Sequence, residues 1–330
     1  MLRLFFTPQD IARVRMAPRP HPLWELVLAT TLLGGSQGEA VFGPWRRQAR
    51  RDLGALPMWQ PRLLRALAPP RGDFPDFLTP ELGLGGLEQG IDAALSVPRS
   101  RLRSELRCLP GLPGWAHPLA GGDREVLDAL GRTLRDCYAA LVSPYEERVA
   151  AHVDADRSSR ARDFLAGGSE GLLAGLGPAM RWQPPVLDVD YPVRRDLHLN
   201  GRGLLLVPSV FCWRTPVTLI DPDLPPVLVY PVTRGADWWA PPRGGQAASL
   251  EALLGRRRAA CLRHLDEGCT TGELARRIGS GAAAASQHAA VLREAGLLAT
   301  VRRRNSVLHT LTPLGRALLA QNPAPGRPAG

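Results

Sequence analysis

The chain has 330 residues, and at roughly 100–200 residues per domain this predicts two domains, each able to bury a core without a disulfide or metal staple. Hydrophobic residues make up 45% and charged residues 22%, which excludes wholesale disorder, while 34 Gly and 32 Pro predict short elements joined by long loops. All 41 basic residues are Arg, and twelve of them face only five acids over residues 249–330, so seven of the ten net positive charges sit in the last quarter, an asymmetry that suits a polyanionic partner.

In chain order, residues 1–7 alternate and read as a strand, and they lack the sustained apolar stretch of a secretory leader, so a cytoplasmic location is expected. Pro8 opens a short helix through Val14. Helices are predicted over 22–33, 44–53, 87–96, 99–106, 123–142 and 144–165. The most apolar run, 23–33, is too short for a membrane span and contains Glu25, so no membrane partner is expected. Beyond Pro184-Pro185 the texture turns to short strands over 186–189, 196–199, 204–208, 216–220 and 227–230, with Asn200-Gly201-Arg202-Gly203 as a hairpin signal. The expectation for residues 1–230 is an α+β domain, helices followed by a small antiparallel sheet that the opening strand joins. Residues 231–248 read as a linker in which Trp238 and Trp239 dock on one domain, and 321–330 as a disordered tail.

Residues 249–320 form the second predicted domain. Ser249 caps a helix whose apolar positions Leu250, Leu253, Leu254, Cys261 and Leu265 recur at helical spacing. Thr270 or Thr271 caps a short helix over 272–278, Gly279 closes it, and Ser280 opens a third helix running to about Ala295. This is a helix-turn-helix unit. At 100° per residue the third helix sets Ala282, Ala285, Ala289 and Leu292 on one stripe and Ala283, Gln287, Ala290 and Glu294 opposite. Gln287 is then the residue to read a base edge, Ala283 and Ala284 keep the helix slim against a groove, and Ser280, Ser286 and His288 complete the DNA contacts. Helix propensity alone also accounts for an alanine run. Strands over 297–302 and 306–311 make a hairpin with Arg302, Arg303 and Arg304 at its tip, positioned for phosphates, and Thr312-Pro313 starts a closing helix through Leu319.

Together, Leu253-Leu254-Gly255-Arg256, Glu273-Leu274-Ala275, Ser286-x-His288-x-x-x-Leu292-Arg293-Glu294-Ala295-Gly296-Leu297 and Leu311-Thr312-Pro313-Leu314-Gly315 resemble the ArsR-type winged-helix repressors, the arsenic-repressor-like family. The resemblance implies a C-terminal winged helix-turn-helix domain acting in a homodimeric transcriptional regulator. Its recognition helix, about 280–295, would enter the major groove of double-stranded DNA, its wing, about 297–311, would lie on the backbone or minor groove, and an effector would release it. Two positions depart from the pattern: Arg304-Asn305 replaces the usual wing-tip glycine, and Ala289 replaces a leucine. The family's metal sites do not carry over, since Cys269 has no second cysteine nearby and the closing helix has no His, Asp or Glu. The N-terminal part, with its opening strand and Trp24-Glu25, resembles an uncharacterised domain fused ahead of such winged helices in actinobacterial regulators.

No catalytic residue, metal site or cofactor is expected. Gly167-Gly168-Ser169-Glu170-Gly171 matches a hydrolase nucleophile elbow but lacks the preceding strand. Asp188, Asp190, Asp196 and His198 read as strand-end polars, and Gly201-Arg202-Gly203 as a turn. Five cysteines without a Cys-x-x-Cys pair read as reduced, buried thiols. Two other function classes fit the pattern: an enzyme with its catalytic domain in 1–230, and a winged helix used only for protein interaction.

Overall fold

A computed structural model describes residues 1–320 apart from 108, 110, 236–237, 240–245, 266–267 and 304–305. The chain divides into two compact units, Met1–Trp239 and Ala240–Gly330. It is a mixed α and β protein in which helix predominates, and among the described residues no helix is long and apolar enough to cross a membrane. The expected tail, 321–330, lies outside the described residues.

Unit 1 opens with β1 (Leu2–Phe5), α1 (Pro8–Ala12) and β2 (Val14–Met16). A helical section follows: α2 (Pro22–Gly34), α3 (Glu39–Gly54), α4 (Trp59–Leu67), α5 (Leu87–Leu95), α6 (Arg99–Arg107), α7 (Ala116–Ala120), α8 (Arg124–Leu141) and α9 (Glu146–Ala174). The unit closes with β3 (Met180–Gln183), β4 (Val186–Val189), β5 (Arg195–His198), β6 (Leu204–Ser209), β7 (Val217–Thr218) and β8 (Val227–Pro231). Helix α2 is buried nearly all round, so it forms the centre of the helical core rather than an amphipathic surface helix. His21 caps it through Nδ1, which accepts the Trp24 N–H at 3.3 Å, while Nε2 lies 2.9 Å from the Pro80 carbonyl. This is the neutral ring, and burial depresses its pKa to about 4.

The strands correct the expectation of one antiparallel sheet. They form two sheets of order β3-β4-β1-β5 and β2-β6-β8-β7. The opening strand does join, antiparallel to β4 and parallel to β5. In the second sheet β2, β6 and β8 run parallel, and every residue of β6 is buried, as expected of a parallel strand covered on both faces. Residues 200–203 are therefore not a hairpin, because β5 and β6 lie in different sheets. Asn200 (φ 54), Gly201 (φ 80) and Gly203 (φ 76) instead turn the chain tightly over α1. A Cβ on Gly203 would meet the Arg13 carbonyl oxygen at 2.5 Å, and the Gly203 N–H donates to Asp10 Oδ1 at 2.8 Å.

Other boundaries differ from expectation for local reasons. Pro44 lies inside α3 rather than at its start. Helix α9 runs past residue 165 to a break at Gly167 (φ −145) and Gly168 (φ 60), so Ser169 follows helix and not strand. Trp238 is buried in unit 1, its Nε1 donating to the Val41 carbonyl at 3.2 Å, and the Trp239 carbonyl accepts from Arg148 at 2.8 Å. Both thus dock on the first unit.

Unit 2 comprises α10 (Gln246–Leu254), α11 (Arg256–Arg263), β9 (Cys269–Thr270), α12 (Thr271–Arg277), α13 (Ala282–Glu294), β10 (Leu298–Arg303), β11 (Ser306–Leu311) and α14 (Pro313–Ala320). The single first helix expected here is two, broken at Gly255, whose φ of 82 a helix cannot hold. The break leaves Leu253 69% exposed, off the expected apolar stripe. The core is made of leucine, alanine and cysteine, with Leu262, Leu274, Ala285, Ala289, Leu292 and Leu311 at its centre.

Candidate nucleic-acid interface

Short local interactions set the geometry of α12 and α13. Thr270 and Glu273 form a reciprocal cap: Thr270 Oγ1 accepts the Glu273 N–H at 3.3 Å and the Glu273 carboxylate accepts the Thr270 N–H at 2.8 Å. That backbone N–H and the threonine hydroxyl hold the Glu273 carboxyl below its ordinary pKa. Gly279 (φ 60) ends α12, and the Ser280 N–H donates back to the Ala275 carbonyl at 2.9 Å. Arg257 reaches from α11 to the Gly279 carbonyl at 3.2 Å, tying α11 to this turn.

Helix α13 begins at Ala282, with Gly281 at its N-cap and no side-chain cap. Ala285, Ala289 and Leu292 are buried, as the helical projection requires. Ala282 is exposed, however, because the helix starts there and the core lies a turn further on. Gln287, Ser286 and Ala283 are exposed, while Ala284 and His288 are half-buried at the edges of that face. Ser280 stands apart from this group: its Oγ is buried and has no hydrogen-bond partner among the described residues, so the hydroxyl is not presented at the surface. The helix ends at Gly296 (φ 71), with the Leu297 N–H closing onto the Leu292 carbonyl at 2.9 Å.

The hairpin pairs β10 with β11 antiparallel, from Leu298 opposite Leu311 to Arg303 opposite Ser306. Arg302 and Arg303 thus occupy its far end by backbone register, and Arg304 lies outside the described residues. A third strand, β9, adds to β11 and was not legible, since two residues carry no periodicity. Thr312 caps α14 by accepting the Gly315 N–H at 3.1 Å and donates to the Gly296 carbonyl at 2.7 Å. A Cβ on Gly315 would lie 2.3 Å from the Leu297 carbonyl oxygen, so glycine allows α14 to close on the start of the hairpin.

His309 is the residue that sequence patterning missed. It is buried on β11, with Nε2 3.0 Å from the Thr271 hydroxyl and Nδ1 3.0 Å from the Thr300 hydroxyl. It therefore bolts the start of α12 to the hairpin. Burial, with a smaller contribution from Arg293, lowers its pKa. Cys261 and Cys269 are both buried, and burial pushes the Cys261 thiol up to about 11. Among the described residues no group of three His, Cys, Asp or Glu could hold a metal. In unit 1, Asp196 pairs with Arg3 at 2.8 Å and His198 stacks on Phe5 at 4.5 Å between centroids. Comparison with family models, curated proteins and solved structures found no match for this chain.

Proposed function

We propose that the chain is a DNA-binding transcriptional regulator, a repressor acting as a homodimer through an ArsR-like winged helix in unit 2. Unit 1 takes a small-molecule effector or supplies the dimer contacts. The observation that carries this reading is α13, a helix fixed by one buried stripe whose opposite face offers Ala283, Ser286 and Gln287 beside a hairpin ending in arginine. Small side chains let such a helix approach base edges closely, and an exposed amide in mid-face can pair with adenine in a bidentate manner. The surplus of seven positive charges over 249–330 suits the phosphate backbone.

The test is selection of duplexes from a random library by the full chain, followed by titration of variants. Gln287→Ala is expected to relax preference at one position per half-site, at about 1–3 kcal/mol. Replacing Arg302, Arg303 and Arg304 together by Ala is expected to weaken every sequence alike and to flatten the log–log salt slope by roughly 0.9 for each phosphate no longer neutralised. Failure of the full chain to bind any duplex at low salt would refute the proposal.

A further inference from the structure

Unit 1 holds a cleft between the C-terminal half of α2 and the segments 69–76, 191–193 and 211–220. Its two lobes, about 630 and 580 Å³, share eight residues, among them Thr31, Gln37, Arg71, Trp213 and Thr215. Each lobe is the size of a small-ligand site, and its walls mix apolar side chains with a few polar groups.

Two observations show that the Trp213 wall is built in place. The Thr215 N–H donates to the Trp213 carbonyl at 2.7 Å, and Arg214 between them has φ 61. This is a three-residue turn of the strained kind, and strain of this sort collects at binding sites. The indole itself is held from several sides. A Cβ on Gly38 would lie 2.9 Å from Trp213 Cε2, Phe42 meets the ring edgewise at 5.4 Å, and the Arg234 guanidinium lies 5.1 Å from the ring centroid. An aromatic wall ordered beforehand loses little freedom when a ligand ring stacks on it.

Charge narrows the ligand. The sole ionisable side chain of the larger lobe is Arg71, which is exposed and makes no hydrogen bond or ion pair among the described residues. In the other lobe Asp76 is already engaged, its two carboxylate oxygens accepting the Ile220 and Asp221 N–H groups at 2.9 and 2.7 Å. Asp73 is at the exposed rim. Among the described residues the cleft therefore offers apolar side chains, the hydroxyls and amide of Thr31, Thr215 and Gln37, an indole with the Arg214 and Arg234 guanidinium groups 5.3 and 5.1 Å from its centroid, and two unengaged charges of its own, the Arg71 cation in both lobes and the Asp73 carboxylate at the rim of the smaller one.

We propose that this cleft binds a small aromatic carboxylic acid, its ring against Trp213 and its carboxylate on Arg71. A guanidinium fits a carboxylate with two parallel hydrogen bonds. The inference rests on the effector role given to unit 1, but binding is read without DNA, so its failure and a failure to bind DNA are separate results.

The experiment is calorimetry on the full chain with 2-naphthoate, neutral 2-naphthamide and cationic 2-naphthylmethylammonium. Naphthoate is expected to bind once per chain and about tenfold or more tighter than the amide, the ratio a charge-assisted hydrogen bond supplies. Arg71→Gln should bring naphthoate down to the amide's affinity and leave the amide unchanged, which also shows that the variant cleft is folded. Gly38→Ala, which displaces Trp213 without altering a cleft side chain, should weaken both probes. Ammonium binding as tight as naphthoate, naphthoate binding indifferent to Arg71→Gln, or no saturable binding of any probe at millimolar concentration would each overturn the proposal.

Discussion

The two units are held together by different chemistry. Unit 1 packs large aromatic side chains, with Phe42, Trp45, Phe211 and Trp238 in ring contact, around buried polar groups that hydrogen-bond to the backbone or to one another. Glu25 is the clearest case: in the first turn of α2 it accepts the Ser209 hydroxyl at 2.8 Å and the Val210 and Phe211 N–H groups at 3.0 Å. Unit 2 has no Phe, Tyr or Trp at all. It packs leucine against alanine and relies on caps and one buried histidine to orient its helices. A core of small side chains brings the backbones of unit 2 close together. A core locked by buried polar bonds suits a scaffold that holds a cleft open. The distribution of aromatics also makes tryptophan fluorescence a report on unit 1 alone, so the two can be followed separately.

The largest expected effect is in unit 1. Glu25→Ala would leave three buried donors unpaired, and breaking a buried network in this way costs about 3–5 kcal/mol. The fluorescence-detected unfolding midpoint should fall accordingly, while the remaining circular-dichroism transition of unit 2 stays where it was. Coincident loss of both transitions would mean that the units fold as one.

A second prediction uses pH. Burial pushes Asp76 up to about 6 and His21 down to about 4. Between its ordinary value and 6, Asp76 keeps a proton that the unfolded chain has released, so its contribution is present at low pH and is lost as pH rises through 6. His21 refuses a proton that the unfolded chain accepts below about 6.5, so its contribution is lost as pH falls towards 4. The two oppose each other across the same window. Asp76→Asn removes one of them, and from pH 7 to pH 4 the variant should lose about 2 kcal/mol more stability than the parent chain. Superimposable pH profiles would remove Asp76 from this role.

Unit 2 has its own pH response through His309, buried between the Thr271 and Thr300 hydroxyls. Because burial lowers its pKa, the neutral ring belongs to the folded state, and unit 2 should lose stability as pH falls below about 6.5. His309→Gln keeps polar atoms but cannot titrate, so it should flatten that slope in the circular-dichroism transition. The effect is smaller than that of Asp76→Asn. An unchanged slope would assign the response to another group.

Legibility in the sequence followed the range of the interactions. Helix starts fixed by adjacent residues were readable: Asp123 caps α8, Thr270 caps α12, and Thr312 precedes α14. The buried stripe of α13 followed from a 3.6-residue period. What escaped was set by partners far away in sequence. The parallel pairing of β2 with β6 joins residues 14–16 to 204–206, and nothing local encodes it. The helical spacing from Leu250 to Leu265 runs straight through Gly255, and only its left-handed backbone shows the break. At the site, the outward face containing Gln287 was legible, but the buried hydroxyl of Ser280 was not, because the turn folding it inward depends on a bond to Ala275. The cleft beside Trp213 draws on separated segments of the chain and leaves no motif.

The smallest effect tests the comparison most directly, because both units carry the same local device. Thr7 and Asp10 form a capping box at α1, and Thr270 and Glu273 form one at α12. In each the threonine oxygen accepts the N–H three residues on, at 3.2 Å in unit 1 and 3.3 Å in unit 2. Thr7→Ala and Thr270→Ala should therefore each cost about 1 kcal/mol. The same free energy moves a small domain's melting temperature further, because unfolding entropy scales with the number of residues. Thr270→Ala is expected to lower the unit 2 transition by about 4–8 °C, and Thr7→Ala the unit 1 transition by only about 2–4 °C. Differential scanning calorimetry with fluorescence to assign the peaks would measure both shifts. Equal shifts, or one shift shared by a single peak, would show that the division at Trp239 is not a division in cooperative unfolding; a twofold difference would establish that unit 2 melts on its own, as a module whose helices are oriented by their caps.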